Sequence, residues 1–487
     1  MNKSLLLPLV GLAVIMAGCT MTPKYNRPTA PVPVAWPTGP AYSAPLATTN
    51  LQLLDWREFF TDAKLRQVIG MALTNNRDLR LAALNVERSR ALYGIQRAEL
   101  LPVVNATGSG IKQRVPADLS STGSRQTVER YDANLGVAAW EIDFFGRIRS
   151  LTDRALAEYL ATEQARRSTQ ILLVSSAAQA YLALAADREN LALSKTTLAA
   201  QQGAYDLVKR RHDLGLATDL DLYRAQTPVD IARRDVARYV QQVAQDENAL
   251  NLLAGVSVPS GLLPTELERI CPPEALAPGL SSAVLLRRPD VLQAEDLLKA
   301  ANADIGAARA AFFPRISLST AIGTASSDLS GLFKAGSGAW NYAPQIVMPI
   351  FDARTWSALK VTKVQREISV TQYEKAIQSA FREVADALAV CGTVDQEVAA
   401  QQSLVNAVAE TYRLANSRFD KGIDSYLGVL DAQRSLFAAQ QGLVFLRLAK
   451  AASEVRLYAV LGGGWQTDPS SDLAAAASVS SPDPSRK

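Results

Sequence analysis

The sequence predicts a mixed α+β chain, built twice on one plan, in which two β-hairpins are set among very long helices. Three observations predict it. No proline occurs in the 119 residues from Ile350 to Asp468, nor between Ala117 and Thr227; proline is kept out of helix interiors because it lacks an N–H and clashes one turn back. The hydrophobic period changes to two over about residues 103–144 and again over about 315–350. At a fixed offset of 207, Tyr205, Leu207, Arg211, Asp213, Gly215, Leu220, Ala225, Gln226, Leu250 and Gly255 meet identical residues, from Tyr412 to Gly462. Ungapped identity of that extent marks an internal duplication.

Composition narrows the function. The net charge is +4 over 487 residues with the signs interspersed, so no basic stripe argues for nucleic acid. Cys19, Cys271 and Cys391 lie far apart with no metal-ligand or redox spacing, and His212 is the one histidine. No metal site, no cofactor and no convergent acid–base or nucleophile set can be assembled, which argues against a lipid-anchored enzyme.

The elements follow in order. Residues 1–18 read as a signal peptide, with Lys3, a short apolar run from Leu5 to Ile15, and small residues before Cys19. The segment resembles a bacterial lipoprotein signal, which implies lipid on the Cys19 thiol. Thr20 follows in place of a retention aspartate, so the implied destination is the outer membrane. Residues 19–60 form an extended strap with seven prolines from Pro23 to Pro45. The first repeat, 61–255, opens with Asp62 as a helix cap and Leu65, Val68, Ile69 and Leu73 at helical spacing. A second helix is expected from Arg77 to Leu101, with Leu81, Leu84, Leu92 and Ile95 on it. The first β-hairpin, about 103–144, has Tyr131, Ala133, Leu135 and Val137 on one face, and Trp140, Ile142 and Phe144 continue that face after a register shift. Lys112 to Arg130 reads as an exposed loop. A helical hairpin, about 147–253, turns at Leu214-Gly215 and is expected to kink or break near Pro228.

A proline-rich linker covers 256–283, and the second repeat 284–464. There a helix from Val284 to Phe313 precedes a β-hairpin, about 315–350, with a loop from Gly323 to Gly338. A helical hairpin, about 353–461, turns at Lys421-Gly422 and closes the repeat. Its first helix would run roughly 100 Å at ~1.5 Å per residue. Residues 465–487 have the composition of a disordered tail.

Four strands of about ten residues suit an outer-membrane barrel. Four cannot close one, and open edges in lipid leave backbone groups unpaired at a cost of several kcal/mol each. Three copies would supply about twelve strands around a wide lumen, with the apolar strand faces toward lipid. The soluble alternative is a helical protein with two small solvent-covered sheets.

The run from Leu286-Arg287-Arg288-Pro289-Asp290-Val291 through Ala294-Glu295 to Phe312-Phe313-Pro314 closely resembles the outer-membrane factors of Gram-negative bacteria. Trp140-Glu141-Ile142-Asp143-Phe144-Phe145-Gly146-Arg147 and Leu430-Asp431-Ala432-Gln433-Arg434 match as well. These are TolC-like ducts, and the match is to their OprM-type lipoprotein branch. The resemblance implies a homotrimer: a twelve-stranded barrel in the outer membrane, continuous with a long α-helical barrel in the periplasm. It implies as partners a periplasmic adaptor, an inner-membrane pump of the resistance-nodulation-division type, and outer-membrane lipid. The function it implies is a passive exit duct for drugs and other toxic compounds; a type I protein secretion duct shares the fold and is the alternative.

In this family the end corresponding to the second turn closes the duct, and the matching positions here are Leu427 and Asp431. Threefold symmetry would make Asp431 a carboxylate ring, and crowded like charges titrate as a unit or recruit a cation. Taken alone, Asp431 reads as a solvated helix-start residue. Gly428 stands where some relatives carry a second acidic ring. By the offset Asp431 corresponds to Arg224, which raises an Arg224–Asp431 contact, with Arg434 as competitor. Arg418, Asp420 and Asp424 are further candidate contacts at the periplasmic end. Trp140, Trp340 and Tyr342 are candidates for an interfacial aromatic girdle, with plain sheet packing as the alternative.

Overall fold

The computed structural model describes residues 20–42, 55–267 and 281–463. The signal peptide, Cys19, Cys271, the tail and parts of the strap and linker lie outside the described residues.

α1 (Trp56–Phe59), α2 (Ala63–Asn75) and α3 (Arg77–Ala98) precede β1 (Val104–Val115) and β2 (Gln126–Ile142). α4 (Arg147–Asp213) and α5 (Asp219–Ala254) make the first helical hairpin. α6 (Pro289–Ala310), β3 (Arg315–Ser326), β4 (Gly338–Val347), α7 (Ala353–Asp420) and α8 (Tyr426–Val460) repeat the series. Contacts divide the chain into two compact units. Of the described residues, one holds the strands with 20–29, 84–163 and 293–374; the other holds 30–42, 55–83, 164–267, 281–292 and 375–463.

In the strand unit the sheet is antiparallel, in the order β1-β2-β3-β4, with β1 and β4 as open edges. Its register sorts residue types by face. Val104, Val137 and Thr320 align, and so do Ile322 with Trp340, Thr320 with Tyr342, and Ile316 with both Ile142 and Ile346. Opposed residues project to the same side, so one face carries valine, leucine, isoleucine, Trp140, Trp340 and Tyr342. The other carries Asn105, Thr107, Ser109, Asp132, Asn134, Ser317, Asn341 and Gln345. The expected register shift is a bulge between Val137 and Trp140, where Ala139 takes φ +52°. One extra residue is thereby absorbed, and Trp140 and Ile142 rejoin the apolar face.

Both strand loops are shorter than expected. β1 runs on to Val115 and β2 starts at Gln126, because Lys112–Glu129 and the flanking residues continue the ladder beyond the apolar stretch. β3 likewise runs to Ser326 rather than yielding at Gly323. On β2 and β3, Gly136 and Gly323 have no room for a side chain: a Cβ would stand 2.4 Å from the Thr320 carbonyl oxygen and 2.1 Å from that of Ala133. In the same unit the N-terminal segment is tied to α6. Arg27 pairs with Glu295, Tyr25 donates to the same carboxylate at 3.2 Å, and Asn302 and Arg309 donate to the Pro23 and Met21 carbonyls.

In the second unit, Asp62 caps α2 by accepting from Leu65 N at 2.5 Å, and Leu65, Val68, Ile69 and Ala72 bury the helix, with Leu73 half-buried. Phe59 stacks on Tyr458 at 4.1 Å, and Trp36 of the strap on Phe381 at 5.0 Å. Of the kink or break expected near Pro228, the break does not occur, and α5 runs through it as one helix: proline removes one N–H, and the surrounding turns keep the helix. The helix expected from Val284 is instead a 3-10 turn, Ser282–Arg287, followed by α6 beginning at Pro289. Proline is preorganised for the first helical position and disfavours helix in the residue before it. Arg288, 8% exposed, uses this break to reach Glu383 at 2.8 Å and the Val460 carbonyl at the end of α8 at 2.6 Å. On α3 the apolar stripe is bare: Leu81, Leu84, Leu92 and Ile95 are all exposed.

Candidate functional site

The two helical hairpins turn by the same device. Gly215 and Gly422 adopt φ +71° and +70°. In the first turn Leu216 N bonds the Arg211 carbonyl at 2.8 Å and Gly215 N that of His212 at 2.8 Å; in the second, Ile423 N bonds Arg418 and Gly422 N bonds Phe419, at 3.0 and 2.8 Å. This is the paired bonding of a Schellman end, which needs a left-handed residue at the glycine. Thr218 then caps α5 in a reciprocal box with Asp221. His212 and Asp219 meet at 2.8 Å across the first turn, and the Asp219 carboxylate, followed by Asp213, raises the imidazole above its ordinary range.

A cavity of about 260 Å³ lies beside these turns, lined by Leu207 and Arg211 of α4, Tyr412, Phe419 and Asp420 of α7, and Tyr426 of α8. Phe419 and Tyr426 have ring centroids 5.0 Å apart, and burial pushes the Tyr426 hydroxyl up to about 12. The aromatic floor had not been singled out from the sequence; its signal was the pairing of Phe419 and Tyr426 across a glycine turn.

The candidate gate residues lie on the first turns of α8. Leu427 is 55% exposed, and Asp431, one turn on, is exposed beside it. Arg434 donates to Asp431 at 2.8 Å, as a helical i,i+3 pair. The Arg224–Asp431 contact is not made within the chain: Arg224 is exposed, and among the described residues it has no ion pair. Arg418 pairs with Asp424 across the second turn through two hydrogen bonds, the shorter 2.5 Å. The arginine draws the Asp424 carboxyl below its usual value. Asp420 faces the cavity. Among the described residues, no group of three histidine, cysteine or acidic side chains could hold a metal ion.

On the sheet, Trp340 is 79% and Tyr342 65% exposed, whereas Trp140 is half-buried with its Nε1 donating to the Leu100 carbonyl at 3.3 Å. A four-stranded sheet with one apolar face and one polar face, both exposed edges unpaired, can border a water-filled passage through lipid. One helix stretch, within α4, is also long and apolar enough to cross a bilayer, and 56% of it is buried within the protein.

Comparison with known proteins fits this geometry. The outer membrane efflux protein family matches residues 68–256 and 280–463. The chain is 50% identical over 469 residues to the toluene efflux pump outer membrane protein TtgC of Pseudomonas putida, covering 96% of each chain. It is similar to the crystal structure of a membrane protein from Pseudomonas aeruginosa, with TM-score 0.87 and 41% identity over 92% of this chain and 98% of that one. It is similar also to the open state of the MtrE outer membrane channel of Neisseria gonorrhoeae, with TM-score 0.84 and 34% identity over 92% and 99%. With both halves of the sequence matched and the sheet and long helices of those channels reproduced, the chain belongs to the outer membrane efflux protein family and is an outer-membrane efflux channel protein.

Proposed function

We propose that three copies of this chain form one passive exit duct of a tripartite efflux system, joined in the periplasm to an adaptor and through it to an inner-membrane pump. The observation that carries the reading is the sheet: two unpaired edges and one apolar face are unfavourable for a chain alone and are satisfied together when copies pair edge to edge. The exposed leucines of α3 have the same need for a partner. The duct carries out no chemistry. Its work is to offer a polar path of low barrier, lined by Asn105, Thr107, Ser109, Asn134, Asn341 and Gln345, to solutes such as drugs and solvents that the pump has already selected. Lipid on Cys19 would anchor the strap to the same membrane.

The closed state rests, in this reading, on the turn at the start of α8. Leu427 from each copy plugs the axis. Asp431, held by Arg434 within its own chain and faced by Arg224 of a neighbouring copy, rings it. Adaptor binding spreads the helices and opens the ring. Deletion of the gene should sensitise the cell to a panel of drugs and solvents, with resistance restored by the intact gene and not by a chain lacking residues 104–142. In planar bilayers, Leu427→Ser and Asp431→Ala should each raise single-channel conductance severalfold. Unchanged conductance in both removes the gate from these residues, and unchanged sensitivity removes the efflux role.

A further inference from the structure

The cavity beside the hairpin turns lies where the second repeat has exchanged the polar contacts of the first for rings. At the 207 offset, Phe419 and Tyr426 correspond to His212 and Asp219, and Gln433 to Gln226. In the first repeat His212 meets Asp219 at 2.8 Å, and Gln226 donates to Asp230, one turn on, at 3.4 Å. In the second, Phe419 and Tyr426 set their rings 5.0 Å apart, and Phe437 stands at the position of Asp230. Gln433 is thereby left without the carboxylate that engages its counterpart.

Gln433 is 9% exposed and lines the cavity, and among the described residues its side-chain amide has no hydrogen-bond partner. A polar side chain so deeply buried is ordinarily satisfied, because leaving it bare carries its full desolvation cost. The hydroxyls of Tyr412 and Tyr426 have no partner among the described residues either. Arg211 and Asp420, both exposed, likewise form no ion pair there. Val208 and Val429, 7% and 3% exposed, supply apolar wall. At Gly203 the wall is bare: a Cβ there would meet no atom within 4 Å.

An aromatic enclosure with a few polar groups left to orient a guest is the make-up of a small-molecule site. A volume of about 260 Å³ takes one ring with its substituents; an apolar cavity of ~150 Å³ already holds benzene. Arg211 and Asp420 offset each other at the rim, so net charge on the guest gains nothing. We infer that this cavity binds an uncharged single-ring aromatic molecule bearing a hydroxyl, a phenol, with its ring against Phe419 and Tyr426 and its hydroxyl on the Gln433 amide. Stacked and edge-on rings fix the plane of the guest, and the amide fixes which edge points inward. The guest would tie α4 of the first hairpin to α7 and α8 of the second and so hinder the spreading of these helices. That consequence rests on the gate proposed for Leu427 and Asp431; the binding does not.

The test uses the full-length protein in detergent and 4-fluorophenol followed by fluorine NMR, with fluorobenzene as comparison. The intact chain should bind one 4-fluorophenol saturably, and fluorobenzene about fivefold more weakly. Gly203→Leu fills the bare wall without a clash at Cβ, and should abolish binding of both probes. Gln433→Leu keeps the volume, and should weaken 4-fluorophenol roughly fivefold while leaving fluorobenzene unchanged, as expected for the loss of one hydrogen bond. Uptake of probe by the micelle is common to all three proteins and cancels. Equal binding by the intact chain and both variants overturns the inference. So does fluorobenzene bound as tightly as 4-fluorophenol, which would make the space a plain apolar void. In planar bilayers, 4-fluorophenol should lower the open probability of the intact channel and not that of Gly203→Leu. Binding without that change overturns the link to opening and leaves the site.

Discussion

Glu454, on α8, shows how one substitution between the repeats changes the charge balance of a helical hairpin. At the 207 offset it corresponds to Glu247, and Asp395 corresponds to Arg188. The first repeat therefore has a 2.7 Å cation–anion pair where the second has two acids, with Lys450 drawn to Asp395 at 2.6 Å. Burial holds the Glu454 carboxyl up at about 7, with Lys450 opposing and Asp395 adding to the rise. The folded chain thus keeps a proton that the unfolded chain gives up near 4.5. Stability from this group is full below that value, falls as the pH rises toward 7, and is level above. Glu454→Gln should stabilise the fold at pH 8 by on the order of 1 kcal/mol after allowance for partial exposure, raising the melting temperature there, and leave it nearly unchanged at pH 4.5. Thermal melts at the two pH values decide it; equal shifts at both refute it. None of this could be read from sequence, because glutamate is common on helix surfaces and its burial depends on which helices pack. Leu427 and Asp431 were found through family likeness alone. Both are exposed in the chain, so no packing pattern of its own marks them.

At the level of elements, the helices were the most legible part. Proline-free runs fixed α4 and α7, and Gly215, Gly255 and Gly422 fixed where helices end. Less legible were the ends of the strands, since the ladder continues through charged residues such as Lys112 and Glu129 where the apolar alternation has stopped. The 3-10 turn ahead of Pro289 was missed because its composition is that of a helix. The duplicated hairpins also repack. Gln401 donates to the Ala439 carbonyl at 2.8 Å, and a Cβ on Gly442 would stand 2.7 Å from its amide nitrogen. In the first repeat Ser194 and the buried Asp235 occupy these two positions. The bulk has moved from one helix to the other. Gly442→Ala should therefore displace the Gln401 amide and destabilise the second hairpin by about 1 kcal/mol, the typical net value of one hydrogen bond. Adding Gln401→Ala should cost less than it does alone. Denaturant or thermal unfolding of the two single variants and the double gives the coupling, and strict additivity would count against it.

For the molecule as a whole, the two edges of the sheet set the terms of assembly. Proline disrupts a paired strand and is tolerated on an open edge when its missing N–H would have faced outward. Of two successive residues on β1, one donates toward β2 and the other toward the open side. Thr107→Pro and Gly108→Pro should therefore differ in the isolated chain, and both should block the oligomer. Size-exclusion chromatography with light scattering, read beside a proteolysis assay of the monomer, separates the two effects. A full-sized oligomer from both variants would rule out pairing between copies through β1. The bulge at Ala139 has its own bearing on how this chain can change over time. Because it sets the phase of everything after it in β2, loss of one residue there would turn Trp140 and Ile142 into the water and Glu141 into the oil. Substitutions along that strand act one position at a time, whereas a frame slip acts on a whole segment. Length in β2 should thus be held far more tightly than identity, with gains and losses of residues confined to the loops at 116–125 and 327–337.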